Sequence, residues 1–552
     1  MLKFRVGTCH RTLRCFSLYS PSWINCNSCG IELQNKNPNK VGFYLEPKAA
    51  VMNKAASIED IKYLLFSQHI QKFKETDDAI LKEEDKIAIT QPLTCKRCND
   101  AIHQNIYDNE EFKRISFFDL VENVPRESNV MHCIPFPEFP FHLEKRVLSN
   151  KHYNTSLLLT KSDQVMKHKS TLTKELPAFL KDFMKFHIGI QSNKTIAVSA
   201  LKGWNLDTLY AFLKGKTYLL GNTNVGKSTL INALLKKYLG VKLYLDKKGK
   251  IIPKDVLAEQ SMNTKAFLKN QSAGVSYIPN MTRNIQPYQI GEKLLFDLPG
   301  YTSNMKEVYL EKIIKKDWLE QIRKTELYSD RFVKKQSYTT LKGTENGACY
   351  SIGGIFFLVP PDGTINQIVK YIPGKESSYR NIDKALKIFQ AIHHQKDGEK
   401  HPWDQYCGIH TEICDKENYV RHVIPPFQGS IEIVLKNIGY ILVRTTGKYE
   451  FKGLHEIWVP RGIDVCIREP LELLVKRGYE SFLNSKKMIP VCPKDRDIVS
   501  FTYPMSHTEV DVLAKMEEMY TQRTKKHTKE SARELLSTVH DDRMNLFWHY
   551  QW

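Results

Sequence analysis

The run Gly221-Asn222-Thr223-Asn224-Val225-Gly226-Lys227-Ser228 constrains this chain more than any other stretch of its length. It fits GxxxxGK[ST], in which glycines let backbone amides wrap a phosphate chain, a lysine reaches the outer phosphates and a hydroxyl meets a divalent cation. The flanks agree with it: Tyr218–Leu220 reads as a short strand, and an amphipathic helix is expected from Thr229 to Tyr238. A strand–loop–helix unit of this kind belongs to an α/β sheet domain. Its expected ligand is a nucleoside triphosphate, with Gly221, Gly226, Lys227, Ser228 and Thr229 around the phosphates.

The loop has companions on both sides. Downstream, Lys293–Phe296 reads as a strand ending in Asp297-Leu298-Pro299-Gly300. A strand-terminal Asp beside a phosphate loop is the usual Mg²⁺ partner, and Gly300 is placed to donate its amide to the γ-phosphate. Thr282, in Pro279-Asn280-Met281-Thr282-Arg283, offers a second hydroxyl. Ser228, Thr282 and Asp297 are thus the expected Mg²⁺ set, and Lys227, Thr282 and Gly300 the groups acting on the transferred phosphate. Upstream, the strand Thr155–Leu159 runs into Thr160-Lys161-Ser162-Asp163, and Ile196–Val198 runs into Ser199-Ala200-Leu201-Lys202-Gly203. In G proteins such an [NT]KxD stretch lends its Asp to guanine N1 and N2 and its Lys stem to the base face, while an SA stretch offers an amide to O6. GTP is therefore the expected nucleotide, with Thr160, Lys161, Asp163, Ser199 and Ala200 at the base. These motifs normally follow the phosphate motifs; here they precede them, which predicts a circularly permuted GTPase domain. Permutation needs only that the original termini lie close together. It also couples whatever follows Gly300 directly to the second switch.

Two further pairs, Cys26-Asn27-Ser28-Cys29 and Cys95-Lys96-Arg97-Cys98, stand 65 residues apart. Each places two thiolates on one tight turn, and together they complete a Cys₄ zinc site with no open position, hence a structural one. A redox CxxC is the competing chemistry, and His103 and Cys9 fit the ligand spacing less well. Residues 50–90 read as an insertion between the knuckles. Thiols such as Cys133, Cys349, Cys407, Cys414, Cys466 and Cys492 read as small buried apolar groups.

Ahead of them, residues 1–31 hold Lys3, Arg5, Arg11 and Arg14 and no acid. That composition predicts a mitochondrial transit peptide over 1–20, cut before Ser17, and a matrix location; an ordinary basic N-terminus is the alternative. No stretch approaches the roughly 20 apolar residues a membrane-spanning helix needs.

The Cys₄ knuckles, TKSD, SALKG, GNTNVGKS, PNMT and DLPG, in that order, resemble the YqeH-like circularly permuted GTPases. The resemblance implies GTP binding, slow hydrolysis and a role in assembling the small ribosomal subunit. Three positions set this chain apart or refine the reading. Thr160 replaces the commoner Asn, losing an amide that braces the nucleotide loops. Tyr301 follows DLPG where many GTPases place a water-positioning Gln, so intrinsic hydrolysis should be slow. Asn224 matches the position that helps hold K⁺ in related GTPases, so turnover should be K⁺-stimulated.

The formal net charge is +20, of which +15 falls within residues 141–300. Lys236, Lys237, Lys242, Lys247, Lys248 and Lys250 follow the phosphate-loop helix, either as a solvated face or as a contact to an RNA backbone. From Met305 to about Gln336 a charged helix is expected. Short β-runs separated by Gly and Pro then span 350–468, at Gly354–Val359, Gln367–Tyr371, Ser430–Leu435, Gly439–Arg444, Glu456–Val459 and Val465–Arg468. Their cations Arg444, Lys448, Lys452 and Arg461 interleave with Tyr440, Tyr449, Phe451 and Trp458, as on RNA-binding sheets, although rings of this kind more often form core. Helices are expected at Leu471–Asn484, Thr508–Lys525 and Thr528–Thr538.

The chain thus reads as a multidomain α/β protein: a zinc-knuckle domain at 21–115, a permuted P-loop GTPase domain at 116–304 and a C-terminal α+β domain at 305–552. The leading function is a slow mitochondrial GTPase gating contact with small-subunit rRNA or a pre-ribosome. The alternative is a nucleotide-gated scaffold with little turnover, in peripheral contact with the inner membrane and serving membrane or lipid maintenance. A P-loop enzyme using ATP is a third reading.

Overall fold

The structure, a computed structural model, describes residues 25–45, 93–104, 107, 112–190, 194–238, 241–245, 251–255, 273–275, 278–305, 307–324, 338–393, 403–424, 427, 429–446, 453–486, 499–501 and 504–526. The expected transit peptide, the 50–90 insertion and the helix at 528–538 lie outside these residues. The chain divides into two compact units, 1–107 and 108–552. The first is built from two knuckles. Backbone bridges Asn25–Glu32 and Gln34–Phe43 shape the N-terminal one, and the second opens the one-turn helix Lys96–Asn99.

Among the described residues of the second unit, ten strands precede residue 303: β1 (Ile115–Ser116), β2 (Asn129–Pro135), β3 (Asn154–Thr160), β4 (Thr195–Ala197), β5 (Lys216–Leu220), β6 (Val241–Leu245), β7 (Ile251–Asp255), β8 (Gln286–Ile290), β9 (Lys293–Asp297) and β10 (Tyr301–Thr302). One sheet has the order β4-β3-β2-β5-β9-β8, parallel except for β8. Parallel strands need cover on both faces, and the side-chain alternation supplies two cores. Leu157, Leu159 and Ile134 face the helix Leu176–Phe183. Leu158, Cys133 and Leu219 face the helices Leu206–Phe212 and Lys227–Tyr238. The central strand β2 was not legible as a strand, because Pro135, Pro137 and Pro140 break its apolar run; the strand simply ends at Pro135.

After a short helix, Lys316–Lys324, twelve more strands follow among the described residues: β11 (Thr339–Lys342), β12 (Cys349–Ile352), β13 (Phe356–Val359), β14 (Ile365–Tyr371), β15 (Glu376–Tyr379), β16 (Tyr419–Ile424), β17 (Gly429–Leu435), β18 (Gly439–Thr446), β19 (His455–Pro460), β20 (Val465–Arg468), β21 (Val499–Phe501) and β22 (Pro504–Met505). They form two six-stranded sheets, β11-β14-β18-β17-β20-β21 and β15-β12-β13-β19-β16-β22. Ile433 and Ile441 of one sheet and Phe357 and Ile457 of the other share a single core, so this region is a sandwich larger than the small sheet expected. Tyr440 and Trp458 are buried, which places both rings in packing rather than on an open RNA-binding face, whereas Tyr449 and Phe451 lie outside the described residues. The helical run expected from Met305 narrows to Lys316–Lys324 within the described residues.

The sandwich is not tethered loosely. Leu471, Leu474 and Val475 of the helix Leu471–Lys486 join the core around Phe179 and Phe183. Arg468, fully buried, donates to Glu432 at 2.7 Å, to the Pro137 carbonyl at 2.8 Å and to that of Phe139. Truncating it leaves a buried carboxylate and two carbonyls without their donor. Arg468→Ala is therefore expected to lower unfolding free energy by about 3–5 kcal/mol, read as the shift of a urea midpoint. The part owed to the uncompensated Glu432 carboxylate should return in Arg468→Met combined with Glu432→Leu, while the carbonyls of Pro137 and Phe139 still lack a donor.

Candidate functional site

Because β3, β4, β5 and β9 run parallel, their C-terminal ends share one edge, the usual ligand edge of such sheets. This brings Thr160–Asp163, Ser199–Gly203, Gly221–Ser228 and Asp297–Gly300 together although they are scattered along the chain. Gly226 adopts φ +93°, which only glycine takes readily. At Gly300 a side chain would stand 2.8 Å from Thr223 Cα, so the DLPG turn lies directly on the phosphate loop.

Lys227 Nζ is buried and donates to the carbonyls of Gly221 and Asn222, each at 3.0 Å. Burial pushes its pKa down, partly opposed by Asp297. Ser228 Oγ donates to Asp297 Oδ2 at 2.7 Å. Asp297 is 1% exposed; burial raises its pKa, and Oδ1 has no hydrogen-bond partner among the described residues. A buried carboxylate with a spare oxygen beside a hydroxyl is a hard-cation donor set, so these residues fit Mg²⁺. Thr282 is half-buried and, among the described residues, hydrogen-bonds neither Ser228 nor Asp297. Its segment is held elsewhere: Asn280 Nδ2 donates to Phe112 O at 3.1 Å and Arg283 to Lys113 O. The same entering segment continues as β1 along β10, pairing Ile115 with Tyr301.

On the base side, the Thr160 hydroxyl lies 3.1 Å from Ile134 O and also reaches Val225 O in the phosphate loop. The brace expected to be lost with the missing Asn is thus supplied by a hydroxyl. Lys161 sits at φ +54°; burial lowers its pKa, against the attraction of Glu138 and Asp163. Asp163 is buried, and Ser162 N–H donates to Val198 O at 3.1 Å, joining the two loops expected at the base. Ser199 Oγ accepts from Lys202 N–H at 3.0 Å, and Ala200 is half-buried. Asn224 is exposed at φ +58°. Tyr301 is 1% exposed, its ring edge-on to Phe117 at 5.2 Å in a core with Leu220 and Leu298, so it stands in packing rather than as a polar group at the phosphates.

The four cysteines form a second centre in the first unit. Their Sγ atoms all lie within 4.8 Å of one another and all four residues are buried. Zn–S bonds of about 2.3 Å imply tetrahedral edges of about 3.8 Å, and Cys29 and Cys95 stand 3.9 Å apart. That spacing suits a shared cation rather than a disulfide. Cys95 N–H donates to Cys26 Sγ at 3.3 Å and Gly30 N–H to Cys26 O at 2.8 Å. Hydrogen bonds from the neighbouring thiols, Cys29 foremost, hold Cys26 below the ordinary thiol pKa, while the same contacts raise Cys29 and Cys98. Arg97, against the opposing effect of burial, is held above its usual pKa by Cys98, Cys29 and Cys95; it was not legible as part of the centre because arginine is no ligand.

A protein of Zygosaccharomyces rouxii described as genetic interactor of prohibitins 3, mitochondrial, is 52% identical over 98% of this chain and 96% of its own length. The chain belongs to the genetic interactor of prohibitins 3 family. Relatives of the same description from Vanderwaltozyma polyspora and Saccharomyces cerevisiae are 49% and 48% identical, over 97% and 99% of this chain and 97% and 100% of theirs. The models of the family's N-terminal and C-terminal domains match residues 25–112 and 336–544. A third model, described as 50S ribosome-binding GTPase, matches residues 216–249, the strand, loop and helix around Lys227. The solved structure of GNP-bound YlqF from T. maritima aligns with 25% of this chain and 55% of its own at 20% identity and a TM-score of 0.17, a likeness too slight to weigh. Like its relatives in the genetic interactor of prohibitins 3 family, the protein is mitochondrial. No helix among its described residues is long and apolar enough to cross a membrane.

Proposed function

We propose that this family member is a GTP-binding protein and slow GTPase with a circularly permuted G domain, acting in the matrix on small ribosomal subunit assembly through nucleotide-dependent contact with RNA or a pre-ribosome. The observation that carries the reading is the meeting of the Thr160–Asp163 loop with the phosphate loop through Thr160, beside the Ser228–Asp297 pair. Asp163 and Lys161 read guanine, with Ser199 and Ala200 at O6. Lys227 and the loop amides from Gly221 to Thr229 hold the phosphates, and the Gly300 amide meets the γ-phosphate. Ser228, Asp297 and, once its segment closes, Thr282 hold Mg²⁺, which supplies charge neutralisation between the outer phosphates. Asn224 is the K⁺ position, and the burial of Tyr301 supports slow turnover. Cys26, Cys29, Cys95 and Cys98 hold structural zinc.

A ribosomal partner in general is supported by the description of the matched GTPase model, which names the 50S particle, and by the surplus of cations in 141–300; the choice of the small subunit rests on the resemblance to the YqeH-like GTPases. Of that cluster, Lys237 is engaged with Asp207 at 2.7 Å, while Lys247, Lys248 and Lys250 lie outside the described residues. The prohibitin link in the relatives' name favours the second reading, a scaffold at the inner membrane. Sedimentation of the full chain with mitochondrial small and large subunits, with GTP or GDP and across a salt series, tests the choice. Salt-sensitive cosedimentation with the small subunit in GTP is expected; retention on cardiolipin vesicles with no ribosomal association would give the alternative.

A further inference from the structure

We infer that the C-terminal sandwich is a working part of base recognition: the turn between β17 and β18, with the first residues of β18, positions the loop that carries Lys161 and Asp163, with Asn437 of the turn and Tyr440 of β18 as positioning residues. The inference rests on the GTP reading above. Tyr440 Oη donates to the carbonyl of Gln164, the residue next to Asp163, at 3.1 Å. Its ring is 1% exposed, stacked on Tyr371 with centroids 4.5 Å apart and lying 5.4 Å from the Arg468 guanidinium, so the hydroxyl has little freedom to move away. Asn437 N–H donates to Glu138 Oε2 at 2.9 Å, and His142 Nε2 reaches the same oxygen at 2.8 Å. Glu138 in turn is the foremost attraction on the ammonium of half-buried Lys161, whose charged form desolvation otherwise disfavours. Lys161 occupies the left-handed backbone region, where a residue other than glycine stays only if its surroundings hold it.

The same turn reaches the other side of the site. Lys436 Nζ pairs with Glu307 Oε1 at 3.0 Å and with Asp464 Oδ2 at 3.2 Å. Glu307 lies on the chain leaving DLPG, so the turn touches both the base loop and the exit of the second phosphate motif. A nucleotide domain ending near residue 304 would lose these contacts. By linkage, any partner that shifts this turn changes guanine-nucleotide affinity, and nucleotide changes that partner's affinity by the same factor.

The test uses the full chain and two variants. Tyr440→Phe keeps the ring and removes only the donor to Gln164; Glu138→Gln keeps an acceptor for Asn437 and removes the charge facing Lys161. Equilibrium binding of fluorescent GTP, ATP competition and binding of inorganic tripolyphosphate are measured on each. The expected result is GTP affinity about 5–10-fold weaker, GTP-over-ATP preference reduced by a similar factor, and tripolyphosphate affinity within about twofold of the parent. Unchanged GTP affinity and preference in the folded variants would overturn the inference while leaving the GTP reading intact, as would equal loss of GTP and tripolyphosphate. A parent chain that does not prefer GTP to ATP would overturn both. Should Tyr440→Phe fail to fold, Glu138→Gln alone decides.

Discussion

Lys227→Ala should weaken GTP binding by about 10²–10⁴-fold while leaving the unliganded protein at least as heat-stable as the parent. The first half follows from what the ammonium offers two phosphates. Two charge-assisted hydrogen bonds are worth about 1.5–3 kcal/mol each, and about 3–6 kcal/mol lost corresponds to that range in Kd. The second half follows from burial. Burial pushes the Lys227 pKa down, so its charged form carries a desolvation cost in the fold that alanine removes. The second half requires that water take the place of Nζ at the carbonyls of Gly221 and Asn222, which now accept from it. Calorimetric titration with GTP and a thermal melt of the same sample check both halves. Loss of binding together with early melting would mean that the lysine serves the loop's fold rather than its ligand.

Removing one zinc ligand should have the other large effect, confined to the first unit. Cys98→Ser is expected to abolish stoichiometric zinc and to open residues 25–104 to protease, while GTP affinity stays within about threefold. Apart from the four cysteines, only Leu33 and Ala101 are buried hydrophobic residues among the described positions of this unit. So small a core does not offset the chain entropy of ordering it, and structural zinc commonly contributes about 10–16 kcal/mol of apparent binding free energy. The metal is then the greater part of what holds the knuckles. Zinc content by elemental analysis, limited proteolysis and GTP titration, before and after chelation, separate the two units. A zinc-free chain that stays protease-resistant would point to the thiols as a redox pair instead.

Much of the nucleotide site was legible because its chemistry is local. The phosphate loop, TKSD, SALKG and DLPG each follow an apolar strand, and a parallel sheet gathers strand ends at one edge whatever their order in the chain. The cysteine pairs were legible for the same reason, since a knuckle is four consecutive residues. The central strand β2 was hidden by its prolines. The sandwich was underestimated because β11, β12, β15 and β16 are short or irregularly patterned and hold their place through cross-strand partners. That Tyr301 stands where a water-positioning Gln is usual was legible; that its ring packs against Phe117 was not, because the partner lies 184 positions away.

From the sequence alone came the phosphate loop, the loops expected at the base and the two cysteine pairs, each written in eight residues or fewer. Only the tertiary structure decided what supports them. Thr160 braces Val225 across 65 positions, Tyr440 holds Gln164 across 276, Asn437 holds Glu138 across 299 and Arg468 holds Pro137 across 331. A hydrogen bond between residues so far apart leaves no period and no motif, because its partners are chosen by the path of the folded chain. A loop's chemistry is written where the loop is; its rigidity is supplied by whatever the fold packs behind it.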